Sequence, residues 1–219
     1  MSDKQYVTYG QAGNQGGDCN CGCGCSTTGA SRSITGCRFS LSVMSDHFIN
    51  IILGSLGKTN TSKVWQMTDK LSTVYRGKQI HVEDAVKACF MNAYTKGIHM
   101  TMEATFSRGC PGDTDADCYL AEDDVPVNKP GLEDIHFPVV CKVSLYPMGI
   151  PNYMEHIARV VNHAIDLGIY SNSSHYCTIL ECDIHELFAY IDYVNTYCSG
   201  ELSHYIFEVT LSVNSPTAD

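Results

Sequence analysis

Charged side chains are scarce in this sequence, and basic ones are the scarcest. Asp, Glu, Lys and Arg make up 17% of the 219 residues, below the ~25% of an average soluble protein. The chain has 14 Lys and Arg against 24 Asp and Glu, which gives a formal net charge of −10. Nucleic acids and anionic membrane surfaces attract clusters of Lys and Arg. We therefore expect neither of them as a partner.

Long apolar runs are also missing. No stretch approaches the ~18 consecutive apolar residues of a membrane span, and the first residues lack the apolar segment of a secretory signal. Proteins that are not exported generally keep their cysteines reduced, so we expect the 12 cysteines to be thiols rather than a disulfide framework. Hydrophobic residues make up 44% of the chain, enough for a folded core. The sequence thus predicts a soluble cytoplasmic protein without membrane insertion.

Four of the cysteines lie close together near the N-terminus, at Cys19, Cys21, Cys23 and Cys25. The surrounding residues 1–33 are mostly Gly, Gln, Asn, Ser and Thr, without the periodicity of a helix or a strand. One interpretation is a flexible extension. The other is a soft-metal site, since thiolates at alternate positions can bind Zn(II) or Cu(I). Structural zinc sites favour two residues between paired cysteines, and this spacing differs.

Beyond this tail the chain repeats itself. Residues 37–44 return as residues 141–148, 104 positions later. The pattern His-x-x-x-Glu-x-Thr-x-Ser-x-x-x-Pro begins at His99 and again at His204, 105 positions later. The repeat predicts the following organisation: a tail at 1–33, two homologous domains at 34–112 and 138–217, and a linker at 113–137 rich in Asp, Pro, Gly and Asn.

Each half shows the same order of predicted elements. Residues 98–107 alternate between apolar and polar side chains without a miss, which is typical of a half-buried strand. The order β-α-β-β-α-β in both halves predicts an α+β fold of two tandem ferredoxin-like repeats, each an antiparallel sheet with two helices on one face. We expect the apolar stripes of the helices to be core. The stripe of the first helix consists of Phe48, Ile49, Ile52, Leu53 and Leu56.

Several longer sequence segments give further information about the family. They are Arg38-Phe-Ser-Leu, Thr61-Ser-Lys-Val-Trp65, Leu71-Ser-Thr-Val, Tyr75-Arg-Gly77, Gly109-Cys-Pro-Gly-Asp-Thr114, Leu145-Tyr-Pro-Met148 and Leu211-Ser-Val-Asn-Ser-Pro216. In content and order they resemble the YkoF-type family, which comprises bacterial thiamine/hydroxymethylpyrimidine-binding proteins. The similarity runs from about Ile34 to Pro216 and leaves out the cysteine-rich tail.

This resemblance implies a fold and a function. It implies two ferredoxin-like (ACT-like) repeats, a homodimer, and a site for thiamine or its pyrimidine moiety in each repeat. It also implies binding without catalysis, no required cofactor, and a role in uptake or salvage of the pyrimidine precursor with a functional link to its transporter. We accordingly expect a non-catalytic binding protein for thiamine, hydroxymethylpyrimidine or both.

Thiamine combines a planar aminopyrimidine with a cationic thiazolium, so its site needs polar groups at the ring edge and an aromatic or apolar face. The first and third strands are neighbours in this fold, which should bring Ser40 and Leu41 beside Ser72 and Thr73. Trp65 is either the stacking ring or a core residue. The corresponding residues of the second repeat are Ser144, Leu145, Tyr176 and Thr178. Because the second repeat has no counterpart of Trp65, we expect the two sites to differ in affinity.

Two cations recur on the same strand face as the serines. Arg38 and Lys142 would be unfavourable beside a thiazolium, so we expect them to meet a carboxylate, Glu103 or Glu208, or an attached phosphate. The residues alone leave these two possibilities open.

Three other functions stay open on the sequence. A thiol-dependent enzyme would use His99, Glu103 and Cys110, although the second half has Ser215 where the first has Cys110. A metal- or redox-responsive sensor would use the cysteine-rich tail. A purely structural dimer would only pack its open sheet faces together.

Overall fold

The computed structural model describes residues 33–108 and 115–217. The four tail cysteines and Cys110 lie outside these residues, so the predictions that depend on them stay predictions. The strands are β1 (Thr35–Val43), β2 (Trp65–Thr68), β3 (Thr73–Gly77), β4 (Met100–Arg108), β5 (Pro138–Pro147), β6 (Tyr170–Ser174), β7 (Cys177–Asp183) and β8 (Tyr205–Val213). The α-helices are α1 (Phe48–Lys58), α2 (Gln79–Ala93), α3 (Tyr153–Asp166) and α4 (Ile184–Glu201).

The central strands alternate between buried and exposed side chains, as predicted. Met100, Met102 and Phe106 of β4 are at most 1% exposed, whereas Glu103 between them is exposed on the other face. The same alternation runs along β8, where Phe207 is fully buried. One face of the sheet therefore supplies the core, and the opposite face carries the polar residues.

All eight strands belong to one antiparallel sheet with the order β2-β3-β1-β4-β8-β5-β7-β6. The four strands of each repeat have the ferredoxin-like order, which confirms the predicted fold class. The two repeats join where β4 pairs with β8, from Met100 opposite Val213 to Arg108 opposite Tyr205. Two four-stranded sheets thus become one, a feature that the repeat in the sequence does not predict.

Helices α2 and α4 cover the joint between the repeats. They contact each other, and the buried Asn195 of α4 donates from Nδ2 to Oε1 of the buried Glu83 on α2 at 2.8 Å. The core is one continuous cluster that extends across both repeats. In the described part of the chain, no helix is both long and apolar enough to cross a membrane.

Helix α1 differs from the expectation that its apolar stripe is core. Phe48, Ile49 and Leu53 are 47%, 56% and 62% exposed, and Ser55 is the buried residue of this helix. The prediction was wrong for these three side chains because α1 turns Ser55 inward, while Ile52 and Leu56 of the same stripe are only partly buried against the core. Of the three, Leu53 lines a cleft.

Residues 123–128 of the linker lie along the first repeat. Lys63 donates from Nζ to Oδ1 of Asp123 at 2.5 Å, and Oδ2 of Asp84 accepts the backbone N–H of Asn128 at 2.9 Å. Hydrogen bonds to charged groups are stronger than neutral ones. These two contacts attach residues 123–128 to Lys63 before β2 and to Asp84 of α2, and so fix the path of the chain towards β5.

Candidate ligand-binding cleft

A cleft opens in the first repeat between α1 and the end of the sheet formed by β1, β2 and β3. Its volume is about 250 Å³, just under the roughly 300–1,000 Å³ of sites for drug-sized ligands. A small molecule therefore fits this space better than a peptide or a large cofactor. The cleft is lined by Phe39, Ser40, Leu41, Ile52, Leu53, Leu56, Thr68, Asp69, Lys70, Leu71, Ser72, Thr73 and Cys89.

Strands β1 and β3 form the floor of the cleft. Phe39 lies opposite Thr73 in the sheet register, and both are buried. The hydroxyl groups of Thr68 and Thr73 are 3.0 Å apart. Since one hydroxyl of such a pair donates to the other, a hydroxyl hydrogen remains for a further acceptor. The floor thus combines an aromatic side chain with a small polar group.

Asp69 organises the loop between β2 and β3 at the rim. Its Oδ1 accepts the backbone N–H groups of Leu71 and Ser72 at 2.8 and 2.9 Å, and its Oδ2 accepts from Arg38 at 2.9 Å. The Arg38 hydrogen bond, followed by these backbone donors, lowers the pKa of Asp69 to about 2. Arg38 also donates to Oγ of Ser72 at 2.5 Å. The carboxylate that Arg38 meets is therefore Asp69 and not the expected Glu103, because the hairpin folds back beside β1.

The wall opposite the floor comes from α1 and α2. Ser55 of α1 donates to the backbone carbonyl of Cys89 on α2 and lies 3.5 Å from its sulfur. Burial raises the pKa of the Cys89 thiol to about 11, so it is an uncharged group and not a thiolate at neutral pH. With Ile52 and Leu56 beside it, the wall is apolar and uncharged.

The structure brings together most of the residues predicted for the first repeat. Ser40, Leu41, Ser72 and Thr73 all line the cleft, because β1 and β3 are neighbours as expected. Trp65 does not line it. It lies opposite Arg76, whose guanidinium is 5.6 Å from the indole centroid, and strand alternation places this pair on the open face of the sheet.

The residues predicted for the second repeat are also close together, but in a different setting. Oγ of Ser144 donates to the carbonyl of Tyr176 at 3.2 Å. Leu145 and Thr178 are each 7% exposed, whereas the Tyr176 side chain is 98% exposed. Leu145 and Thr178 are thus as buried as Thr73 of the first repeat, whereas Tyr176 is turned to solvent.

Aromatic side chains occupy the space between α3 and α4 in the second repeat. The position 104 residues after Cys89 is Tyr193, whose ring stacks on His163 with centroids 3.5 Å apart. The guanidinium of Arg159 lies 5.7 Å from the ring of Tyr197. A small thiol borders the cleft in the first repeat, whereas a stacked tyrosine stands at the matching position of the second.

The structure describes two of the three residues considered for a thiol enzyme, His99 and Glu103. His99 lies 3.2 Å from Oγ of Ser212 through its Nε2. Glu103 is four residues further along, which corresponds to about 13 Å in an extended strand. Cys110 is outside the described residues.

Several residues of the cleft were not predicted from the sequence. Asp69 and Lys70 were not among the predicted site residues, and Leu53 and Leu56 were expected to be core. The sequence of α1 carried no signal for this, because Ile49, Ile52, Leu53 and Leu56 have the ordinary spacing of a core-facing helix. The sequence also has no signal that places Cys89 at the cleft.

Comparison with known proteins gives a consistent result. A family model described as "Ykof: YKOF-related Family" matches residues 34–113 and again residues 138–218. The chain is also similar to a protein of Bacillus subtilis (strain 168) described as "Putative HMP/thiamine-binding protein YkoF". The two are 42% identical over 189 residues, which cover 86% of this chain and 94% of that protein.

Proposed function

This chain belongs to the YKOF-related family, and from that premise we propose that it binds thiamine or its hydroxymethylpyrimidine moiety in the cleft of the first repeat. The proposal is of binding without catalysis and without a required cofactor. The observation that carries it is the cleft, which has an apolar wall on one side and hydroxyl and carboxylate groups on the other. The name of the Bacillus subtilis relative supports the same ligand class.

The chemistry of the cleft suits an aminopyrimidine. Apolar side chains such as Leu41 and Leu56 can contact the faces of a planar ring, while hydroxyl groups at Ser72 and Thr73 can meet its nitrogen atoms. The carboxylate of Asp69 can accept a hydrogen bond from the exocyclic amine, although Arg38 balances most of its charge. Small molecules are recognised in this way, by an apolar enclosure with few but well-placed polar groups.

The first repeat supplies the principal site in this proposal. The contrast between Cys89 and the stacked Tyr193 supports this assignment, because an aromatic ring between α3 and α4 takes up space that a ligand would need. We therefore expect the two repeats to differ in affinity, with the stronger site in the first.

Calorimetric titration of the full chain with hydroxymethylpyrimidine and with thiamine tests the proposal. We expect one strong site per chain. The substitution Ser72→Ala removes a hydroxyl from the rim, and a hydrogen bond contributes about 0.5–1.5 kcal/mol, so affinity should fall roughly 2- to 10-fold. Ser144→Ala, the same change in the second repeat, is the matched control and should leave the strong site unchanged.

Two results would contradict this assignment. Absence of binding heat for both compounds at protein concentrations that detect micromolar affinity would refute the binding function. A loss of affinity in Ser144→Ala but not in Ser72→Ala would move the principal site to the second repeat. The combined change of the four tail cysteines to serine should leave the titration unaltered, and a lost signal would favour the sensor interpretation.

The wider role follows from the family resemblance rather than from the cleft. Uptake or salvage of the pyrimidine precursor, the homodimer, the transporter link and the cytoplasmic location stay predictions. Comparing ligand content and growth on limiting precursor with and without the protein would test the role in salvage.

A further inference from the structure

The start of β5 and the end of β7 hold two histidines and an aspartate close together. Pro138 lies opposite Asp183 in the sheet register, and the backbone N–H of Ile184 donates to the carbonyl of Phe137 at 3.1 Å. These backbone contacts fix the segment that contains His136 against the start of α4. The three side chains are therefore brought together by the sheet and not by spacing in the sequence.

The distances between the three side chains suit the coordination of one metal ion. Nδ1 of His136 is 3.2 Å from Oδ1 of Asp183, and one ligand atom from each of His136, Asp183 and His185 lies within 4.8 Å of the others. Tetrahedral coordination with bonds of about 2.0–2.1 Å places ligand atoms about 3.4 Å apart. The first pair already has this separation. The side chain of His136 is 62% exposed, so it can turn to complete the geometry.

The tautomer of His185 also fits a metal ligand. Its Nε2 lies 2.9 Å from the backbone carbonyl of Ile135. A carbonyl only accepts, so Nε2 holds the hydrogen and Nδ1 carries the lone pair. Histidines that bind metals commonly donate their other ring N–H to a carbonyl or carboxylate in this manner, which fixes the ring.

A cation already lies against that lone pair. Nζ of Lys87 on α2 is 2.8 Å from Nδ1 of His185 and 5.8 Å from the ring centroid of Phe188. The Lys87 ammonium therefore takes the place where a metal ion would meet the imidazole. A metal ion bound here has to displace it, and the long side chain can withdraw towards Phe188.

We propose that His136, Asp183 and His185 form a binding site for a divalent transition-metal ion such as Zn²⁺. Two imidazoles and one carboxylate favour ions of this class over Mg²⁺ or Ca²⁺, which prefer all-oxygen sites. Water completes the coordination. The bound ion joins the end of the linker to the start of α4 and competes with the contact between Lys87 and His185. This site is separate from the ligand cleft and does not depend on the proposed function.

Zinc binding by the full chain tests this site. All variants carry serine in place of Cys19, Cys21, Cys23 and Cys25, so that tail thiolates do not contribute. Equilibrium dialysis with Zn²⁺ followed by metal analysis should find one tightly held ion per chain. Loss of an outer-shell partner typically costs roughly 10–100-fold in metal affinity, so loss of a ligand in His136→Ala should weaken binding at least tenfold.

Two further variants make the result specific. His175→Ala removes another exposed histidine and should leave zinc affinity unchanged. Lys87→Met removes the competing ammonium while keeping a long apolar side chain, and it should raise the affinity. Equal zinc binding by His136→Ala and its parent, or no bound zinc in the parent, would overturn the proposal. A cobalt-loaded sample whose spectrum shows thiolate ligation would also overturn it.

Discussion

At the scale of residues, the charge of the cleft rim depends on three side chains. Asp69 and Arg38 form an ion pair in which both are partly exposed, at 40% and 49%, and so they largely cancel each other's charge. Lys70, the residue after Asp69, also lines the cleft and adds a positive charge. The rim therefore distinguishes ligands by charge, which bears on whether the cleft receives the neutral pyrimidine, cationic thiamine or a thiamine phosphate.

The substitution Lys70→Gln should separate these ligands. Two unit charges about 4 Å apart in water interact by ~1 kcal/mol, so removing the lysine should raise thiamine affinity up to about fivefold. Affinity for neutral hydroxymethylpyrimidine should not change, and affinity for a thiamine phosphate should fall. Competition titration with the three ligands measures this order. Lys129→Gln, at an exposed lysine of the linker, is the control, and equal effects of the two substitutions would contradict a local role of Lys70.

At the scale of elements, α1 is the least firmly held helix around the cleft. Its buried residue is Ser55, and it contains Gly54 and Gly57, with no neighbouring atom in reach of an added Cβ at either position. Glycine within a helix lowers helix stability because the unfolded chain loses more conformational freedom on folding. A helix with exposed apolar side chains and two glycines is suited to adjust its position when a ligand enters the cleft.

The pair Gly54→Ala and Gly97→Ala should give opposite changes in stability. Both sites have room for the new methyl group, but Gly97 has φ +80°, which alanine adopts only with strain. Gly54→Ala should raise the free energy of unfolding by about 0.5–1 kcal/mol, and Gly97→Ala should lower it by about 1 kcal/mol or more. Urea unfolding measures both. Destabilisation by Gly54→Ala would show that α1 is not a regular helix at this position.

At the scale of the whole molecule, the two repeats share one sheet and one core. The joint consists of the β4–β8 ladder and the contact of α2 with α4 above it. Glu83 and Asn195 form their hydrogen bond within this contact, and Oη of Tyr205 donates to Oδ1 of Asn195 at 3.0 Å. A carboxyl group buried among such partners is costly to ionise. The free energy of unfolding therefore depends on pH through this joint.

The substitution Glu83→Gln should remove part of this pH dependence. Burial, with a contribution from Asp192, raises the pKa of Glu83 well above its usual 4.5. The folded protein thus keeps a proton that the unfolded chain releases near pH 4.5. The stabilisation is complete below that pH and is lost as pH rises towards the folded-state pKa.

Glutamine keeps the acceptor for Asn195 without a charge. Glu83→Gln should therefore stabilise the protein by about 1–3 kcal/mol near pH 8 and have little effect near pH 4. Urea unfolding at both pH values, with the exposed Glu103→Gln as control, measures the difference. An unchanged pH dependence in Glu83→Gln would exclude Glu83 as the coupled group.

The sequence by itself determined the repeat, the order of elements and the faces of the central strands. These are local properties, because a strand with alternating side chains such as Met102, Glu103 and Ala104 has only one way to bury its apolar side. The same logic placed Ser40 beside Ser72, since neighbouring strands follow from the element order of each repeat.

Only the tertiary structure decided how the repeats combine and where the sites lie. Pairing of β4 with β8, the salt bridge of Arg38 with Asp69 and the inward turn of Ser55 on α1 depend on how distant segments pack. The same holds for His136 and Asp183, which are 47 residues apart along the chain. Periodicity reports which side of an element is apolar, but not what that side contacts. This is why α1, read as core from its sequence, proved to be the wall of a cleft.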